Sequence, residues 1–453
     1  MSVRARIIKV GVAKSVEMGI ISLARFFSVP LFLSAWTPDL YGEWLILYTL
    51  ISYFTLGGLG FGQAAGNQMT MALAAGDEAR ADRVYQTTWV IVLILSALLM
   101  ALAALVAWLL PLNRWMNIAL IPESSTDAIV FLFAGYVVLG FLTSPAMSAY
   151  RAVGMLHRGL FWTNGGQLLE FGAMALALAL GAGTLGVAAA ITASRLLLLA
   201  GLQLDQLLVV KRFRPCLRQA SRQEFAALLS PALSFAAYPV GNTVINQGIV
   251  MAIGGIVGPV AVVLWSSLRT LTNLVTRLFD LVNQAFYPEV SMAFGAGNRE
   301  LVRRLHRVSC QTSFWLGVLS AAGLLLLGPW LFRVWTHGKV ELDMGLFLGF
   351  VALVVLRSLW YTSFVVPSAI NQHQRLTLGY LFASVLGLGL SVGLLYLGLL
   401  PSLAGFALVE VAMTYLVIPK SLSLAQETLP ALVAGVLTPP NPLAVARMAL
   451  GRG

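Results

Sequence analysis

The sequence predicts an all-α, polytopic membrane protein, and three observations support this fold class. Of the 453 residues, 59% are apolar and only 10% are charged, whereas soluble globular domains average about 25% charged residues. Apolar stretches of about 20 residues, long enough to cross a bilayer as a helix, recur along the chain. Lysine and arginine collect in alternate connecting loops, as they do in multi-pass proteins. A soluble globule is therefore excluded.

About twelve membrane-spanning helices are predicted from these stretches. They cover residues 15–36, 41–62, 87–110, 128–149, 160–180, 186–210, 228–255, 260–288, 308–332, 344–366, 377–398 and 402–424. With the N-terminus in the cytoplasm, 21 of the 29 Lys and Arg residues fall in inside loops and tails and 3 fall outside. This asymmetry predicts cytoplasmic N- and C-termini. It also explains the net charge of +11 as a result of membrane topology and contact with anionic lipids, and not as a sign of nucleic-acid binding.

An internal repeat divides the helices into two pseudo-symmetric bundles of six. Sliding the sequence by 221 residues pairs Pro38 with Pro259, Trp44 with Trp265 and Ala75-Gly76 with Ala296-Gly297. The predicted parts are an N-terminal lobe (1–210), a basic cytoplasmic linker (211–226), a C-terminal lobe (227–424) and an irregular, dispensable cytoplasmic tail (425–453). Parallel repeats of this kind usually enclose a substrate cavity, so a central cavity between the bundles is expected.

The eighth predicted helix, 260–288, carries a polar stripe. At 100° per residue, six of its polar side chains fall within about 40° of one line, and Arg269 lies about 60° away. Because a charged side chain is costly in lipid, one interpretation is a helix lining a path through the membrane. The alternative is that the stripe joins neighbouring helices, with Arg277 and Asp280 as an internal ion pair. The stripe consists of Ser266, Thr270, Asn273, Arg277, Asp280 and Gln284.

Five intramembrane arginines and several amides are the candidate substrate-binding residues. Guanidinium groups suit bidentate binding of phosphate, so the predicted ligand has an anionic headgroup. Each arginine could instead pair with an acid to hold helices together, since the same helices contain Glu17, Glu170, Asp280 and Glu410. The substrate-binding candidates are Arg25, Arg195, Asn242, Asn246, Arg269, Asn273, Arg277 and Arg357.

No pattern indicates an enzyme, a metal or a cofactor. The GGLGFG run at 57–62 follows an apolar span instead of a strand, which favours close helix packing or a kink over nucleotide binding. Glu341-Leu342-Asp343 is expected in a solvated loop, and the four histidines are scattered singly at loop depth, without zinc spacing. Cys216 and Cys310 are both predicted on the cytoplasmic side, where no disulfide is expected.

The first two helices resemble those of polysaccharide transporters, the O-antigen flippases of the multidrug/oligosaccharidyl-lipid/polysaccharide (MOP) exporter superfamily. The shared features are an arginine followed by proline in the first helix, a Tyr-Gly-x-Trp loop and a glycine-rich exit from the second helix. In this chain they are Arg25, Pro30, Tyr41-Gly42-Glu43-Trp44 and Gly57 to Gly62. Leu56 replaces the acid that many relatives carry before the first glycine, so no coupling role transfers to that position.

This resemblance implies a flippase in the bacterial cytoplasmic (inner) membrane. It would move an undecaprenyl-diphosphate-linked oligosaccharide outward for surface polysaccharide such as lipopolysaccharide O-antigen, by rocking of the two lobes. Polysaccharide polymerase and chain-length proteins are the implied partners. Buried acids are candidates for proton or sodium coupling, namely Glu17, Glu170 and Asp280.

Two alternatives remain open at this stage. A cation-coupled multidrug and toxin extrusion antiporter should have a cavity dominated by acids. A membrane enzyme of glycan polymerisation or ligation would need a larger outer domain than the short predicted outside loops supply.

Overall fold

The computed structural model describes residues 3–58, 60–370 and 372–439, and every regular element in these ranges is helical. The all-α prediction is therefore confirmed. In chain order, the α-helices are α1 (Val3–Ala35), α2 (Pro38–Thr55), α3 (Phe61–Ala74), α4 (Glu78–Leu109), α5 (Leu112–Trp115), α6 (Glu123–Ala152), α7 (Leu156–Ala179), α8 (Thr184–Val209), α9 (Arg222–Ile256), α10 (Pro259–Gly295), α11 (Arg299–Trp335), α12 (Met344–Trp360), α13 (Val365–Ala369), α14 (Gln374–Leu395), α15 (Leu399–Ser402), α16 (Ala404–Ala425) and α17 (Leu429–Leu437).

Each of the predicted spans coincides with one helix or with one interrupted helix. The second span is divided between α2 and α3, and the tenth between α12 and α13. Within the described ranges, 8 segments are long and apolar enough to cross a membrane. The long helices α7, α9 and α10 are not among these 8 segments, and all three carry polar side chains along their length. The chain is a multi-pass membrane protein.

The glycine run after α2 breaks the second span, as the kink interpretation predicts. Gly60 has a φ of +84°, a conformation that side chains with a Cβ rarely adopt. A Cβ on Gly60 would lie 2.2 Å from the carbonyl oxygen of Ala232, and one on Gly58 would lie 2.2 Å from the Phe141 ring. The glycines therefore permit both the turn and the close packing.

The internal repeat is visible in local geometry. Helices α4 and α11 begin at positions 78 and 299, and α2 and α10 begin at positions 38 and 259, so both pairs are offset by 221 residues. The turns before α4 and α11 match, with Gly76 and Gly297 both at positive φ. The next residues, Asp77 and Asn298, both cap their helix by accepting a backbone N–H three residues on.

The chain divides into two compact units, and each contains part of α9. The first unit comprises the residues up to Thr243 together with Val250–Val263. The second unit comprises Val244–Ile249 and the residues from Leu264 onward. The division at 211–226, drawn from sequence, stays a prediction.

The first unit is organised around α6, which packs on α8, α4 and α3. The linker after α8 is fixed to the start of α4, because Arg212 pairs with Glu78 and Asp82. At the N-terminal end of α2, the buried Glu43 carboxylate accepts backbone N–H groups of residues 119–121 at 2.8–3.0 Å. Gly42 beside it has no room for a Cβ, which would lie 2.1 Å from the Pro259 carbonyl oxygen.

The second unit differs from expectation at its C-terminal end. The tail predicted to be irregular forms α17, which packs on α11. His306, expected at loop depth, is fully buried in the second turn of α11. Glu341 and Asp343 are exposed in the loop before α12, as expected, and Asp343 also caps that helix. Residues 440–453 of the predicted tail and the side chains of residues 1–11 lie outside the described residues.

Candidate functional site

A cavity of about 210 Å³ lies inside the first unit, between α2, α3, α4, α6 and α8. Its polar lining comes from Thr55, Tyr136, Ser144 and Arg195, and the rest of the wall is apolar or glycine. Arg195 was predicted as a substrate-binding residue. Its guanidinium is the charged group in the cavity wall.

Arg195 is held by an aromatic ring near an acid. Its guanidinium carbon lies 5.0 Å from the centroid of the Tyr136 ring, a cation–π distance. The Tyr136 hydroxyl donates a 2.9 Å hydrogen bond to Glu170. The Nε of Arg195 is buried and has no hydrogen-bond partner among the described residues. Because an unsatisfied buried donor is costly, a ligand or water that accepts this N–H would be favoured.

The face of α6 that carries Tyr136 explains how the arginine fits. Tyr136, Gly140 and Ser144 are four residues apart and so lie on one side of the helix. A Cβ on Gly140 would lie 3.2 Å from an Arg195 Nη atom, so glycine leaves room for the guanidinium. Sequence reasoning did not identify Tyr136. This spacing of one aromatic and two small residues was the available signal.

The other candidates of the first unit are spread more widely. Glu17 pairs with Lys14 at 2.6 Å, one turn away on α1. Arg25 and Asn242 lie on exposed faces of α1 and α9. Arg25 also lies within electrostatic range of Tyr48, as do Arg195 and Glu170. The structure therefore brings Arg195 and Glu170 together and leaves Glu17 in a separate pair.

In the second unit, the polar stripe of α10 is bound within the unit. Arg269 donates a hydrogen bond of 2.5 Å to the backbone carbonyl of Asn246. Arg277 pairs with Asp280 at 3.3 Å, and the Tyr361 hydroxyl donates to the same carboxylate at 2.6 Å. This geometry matches the ion-pair alternative that the sequence left open. The remaining stripe candidate, Asn273, is half-buried.

A second ion pair joins α12 to α16. Arg357 donates to one oxygen of Glu410 at 2.5 and 2.9 Å, and the Trp360 indole donates to the other oxygen at 2.7 Å. Glu410 is buried. The rings of Trp360 and Tyr361 lie 5.5 Å apart, so this pair is continuous with the Asp280 cluster. Arg357 holds two helices together in this structure.

Among the charged residues of the predicted membrane spans, arginines slightly outnumber the acids that are not paired with a basic residue outside the spans. The sequence count omitted Glu43 and Asp205, but Glu43 is bound by backbone N–H groups and Asp205 pairs with Arg158. Lys14 neutralises Glu17. Glu43 keeps its charge, so the five predicted arginines stand against four remaining acids, which are Glu43, Glu170, Asp280 and Glu410. Among the described residues, no three His, Cys, Asp or Glu side chains are grouped as metal ligands.

Comparison with known proteins gives the fold. No protein-family model matches the chain, and no curated protein matches it either. Solved structures of transporters do match. An inward-facing multidrug resistance MATE family transporter of the MOP superfamily has a TM-score of 0.71 at 15% identity, over 92% of this chain and 98% of that one. An outward-facing MATE transporter gives 0.62 at 16% identity, over 95% and 96% of the two chains.

A further match is a MOP superfamily transporter from Pyrococcus furiosus, described as having a binding pocket of reverse polarity that suggests a different function. Its TM-score is 0.58 at 15% identity, over 98% of this chain and 96% of that one. At these identities the likeness concerns the fold alone. The chain has the fold of MATE transporters of the MOP superfamily.

Proposed function

We propose that the protein is a membrane transporter working by alternating access, and that its substrate is a lipid-linked oligosaccharide with a diphosphate headgroup. The first part is supported by the fold, which is shared with transporters solved in inward-facing and outward-facing forms. The second part is supported by the polysaccharide-transporter motifs and by Arg195 in the cavity wall. The proposed location is the bacterial cytoplasmic membrane, with both termini in the cytoplasm.

The observation that carries the choice of substrate is Arg195 in the cavity of the first unit. Its buried Nε–H has no partner among the described residues, and guanidinium is suited to binding phosphate oxygens. The cavity, at about 210 Å³, is smaller than the roughly 300–1,000 Å³ typical of drug-sized ligand sites. It would accept a phosphate-sized group, while the glycan lies elsewhere and the prenyl tail stays in lipid.

The predicted intramembrane arginines outnumber the remaining acids by one, and this small excess agrees with an anionic substrate. Transporters of this fold can differ in the polarity of the binding pocket, as the description of the Pyrococcus furiosus protein states for that protein. Glu170, joined to the Arg195 site through Tyr136, is the coupling residue that this geometry favours. Protonation of Glu170 would leave Arg195 more free to bind an anion.

The experiment is transport of an undecaprenyl-diphosphate oligosaccharide in proteoliposomes, with Arg195→Gln as the variant. Loss of a charge-assisted contact should lower the initial transport rate at limiting substrate by about tenfold or more. Arg333→Gln, on the exposed end of α11, is the matched control and should transport normally. Equal rates in both variants would contradict the assignment of Arg195.

The multidrug antiporter is the second candidate, because the matched structures include multidrug resistance MATE family transporters. It predicts that deleting the gene sensitises cells to cationic drugs without reducing surface polysaccharide. The flippase proposal predicts reduced surface polysaccharide without sensitivity to cationic drugs.

A further inference from the structure

Helix α17 is built entirely from apolar residues. Its sequence is LPALVAGVL, and it follows α16 after a turn in which Gln426 adopts a left-handed conformation. A helix of nine residues with no polar side chain has no face suited to water. We therefore ask what shields the apolar surface of α17 from water.

Both ends of α17 are fixed to α11. Before the helix, the buried Glu427 carboxylate lies 3.2 Å from His306 Nδ1 and accepts a hydrogen bond from Arg307 at 2.7 Å. After the helix, the Trp315 indole donates to the carbonyl of Thr438 at 3.0 Å. The contacts extend from residue 306 to residue 315 of α11, which is about 13 Å along a helix axis. The tail segment has a single defined orientation along α11.

One side of α17 packs against this helix and the other side is open. Leu432 is 5% exposed and points inward, whereas Leu429, Val433 and Leu437 are 52%, 46% and 57% exposed. These three leucine and valine side chains are four residues apart and lie within about 80° on the helix surface. We call them the α17 stripe.

The position of the α17 stripe beside α11 indicates what covers it. The predicted ninth span begins at residue 308, so the contacts of α17 with Gln311 and Trp315 lie at the level where that span enters the bilayer. Trp is enriched at this interface. Leu319, one turn beyond Trp315, is exposed on α11 as a lipid-facing residue would be.

Charge at the same end of α11 fits an anionic headgroup. Four arginines (299, 303, 304 and 307) stand against two acids, Glu300 and Glu427. Arg304 is exposed. An apolar stripe next to basic residues is the pattern of helices that lie in the membrane interface.

We infer that α17 is an interfacial membrane helix: its stripe inserts at the headgroup–acyl boundary of the cytoplasmic leaflet, and Arg304 binds anionic phospholipid headgroups there. This site is separate from the Arg195 cavity. It does not depend on which substrate the protein moves.

The test for insertion uses a spin label at Val433→Cys in a Cys216→Ser, Cys310→Ala background, reconstituted in vesicles of phosphatidylethanolamine and phosphatidylglycerol. The two reference positions are Leu326→Cys, exposed within the ninth predicted span, and Arg218→Cys, exposed in the linker. The label at 433 should be more accessible to oxygen than to a water-soluble nickel chelate, as at 326. Nickel accessibility like that at 218, or protection from both reagents, would overturn the inference, the second result indicating a protein partner.

The headgroup part is tested by the phosphatidylglycerol that copurifies with the protein, measured by native mass spectrometry. Arg304→Gln should weaken retention about fivefold, the effect of removing one arginine near an anionic surface. Arg333→Gln, at the other end of the same helix, should have no effect. Equal retention in the two variants would overturn the headgroup assignment, even if the stripe is inserted.

Discussion

Breaking the Arg357–Glu410 pair should destabilise the second unit strongly. Glu410→Gln keeps an acceptor for the Trp360 indole but leaves the Arg357 guanidinium without its counter-charge. The Glu410 side chain is 2% exposed and that of Arg357 is 23% exposed, so water can compensate only part of the loss. Removing one partner of a buried pair typically costs about 3–5 kcal/mol. We expect about 3 kcal/mol, at the lower end, because Arg357 is not fully buried.

The assay is equilibrium unfolding in mixed detergent micelles. It is applied to Glu410→Gln and to a double-mutant cycle of leucine substitutions. Arg357→Leu and Glu410→Leu should each destabilise the protein, while the double variant should be much less destabilised than the sum of the two, because no charge remains unpaired. Tyr415→Phe, at an exposed position on the same helix, is the control and should be neutral. Additive single effects, or losses below about 1 kcal/mol, would refute a structural ion pair and return Arg357 to the substrate-binding candidates.

Three further predictions concern the packing and the tail. Gly42→Ala should lower the free energy of unfolding by at least about 2 kcal/mol, since its Cβ would overlap the Pro259 carbonyl. The control is Gly19→Ala, which has open space around it and should be neutral or stabilising by about 0.5–1 kcal/mol. Equal thermal stabilities of the two variants would contradict this prediction. Glu43→Gln should cost about 1.5–3 kcal/mol through its lost charge-assisted bonds, measured by thermal unfolding; an unchanged midpoint would count against it. Burial would raise the pKa of Glu427, but hydrogen bonds from its histidine and arginine partners on α11 hold it below its ordinary value. The docking of α17 should therefore be stable from about pH 4.3 to neutral pH and weaken as pH falls further. The measurement is hydrogen exchange in α17, which should become faster on acidification. Exchange in α17 that does not rise on acidification would argue otherwise.

The sequence by itself was sufficient to predict the long helices and the repeat. Membrane spans are predictable because each must satisfy its own backbone hydrogen bonds and present about 20 apolar residues to lipid, and both properties are local to the segment. The repeat is predictable for a similar reason. Gly76 and Gly297 mark the same positive-φ turn in each half, and a turn of this kind depends on the residue type at one position.

Only the tertiary structure decided which partner each charged residue takes. Arg357 and Glu410 are 53 residues apart, and Tyr136 and Glu170 are 34 apart, so their contacts depend on how neighbouring helices are rotated. Composition does not fix that rotation in a membrane, because lipid solvates an apolar face as well as another helix does. The position of α17 could not be predicted from the sequence either. Nine apolar residues are too few to signal a span, and it is the contacts of Glu427 and Thr438 with α11 that place them there.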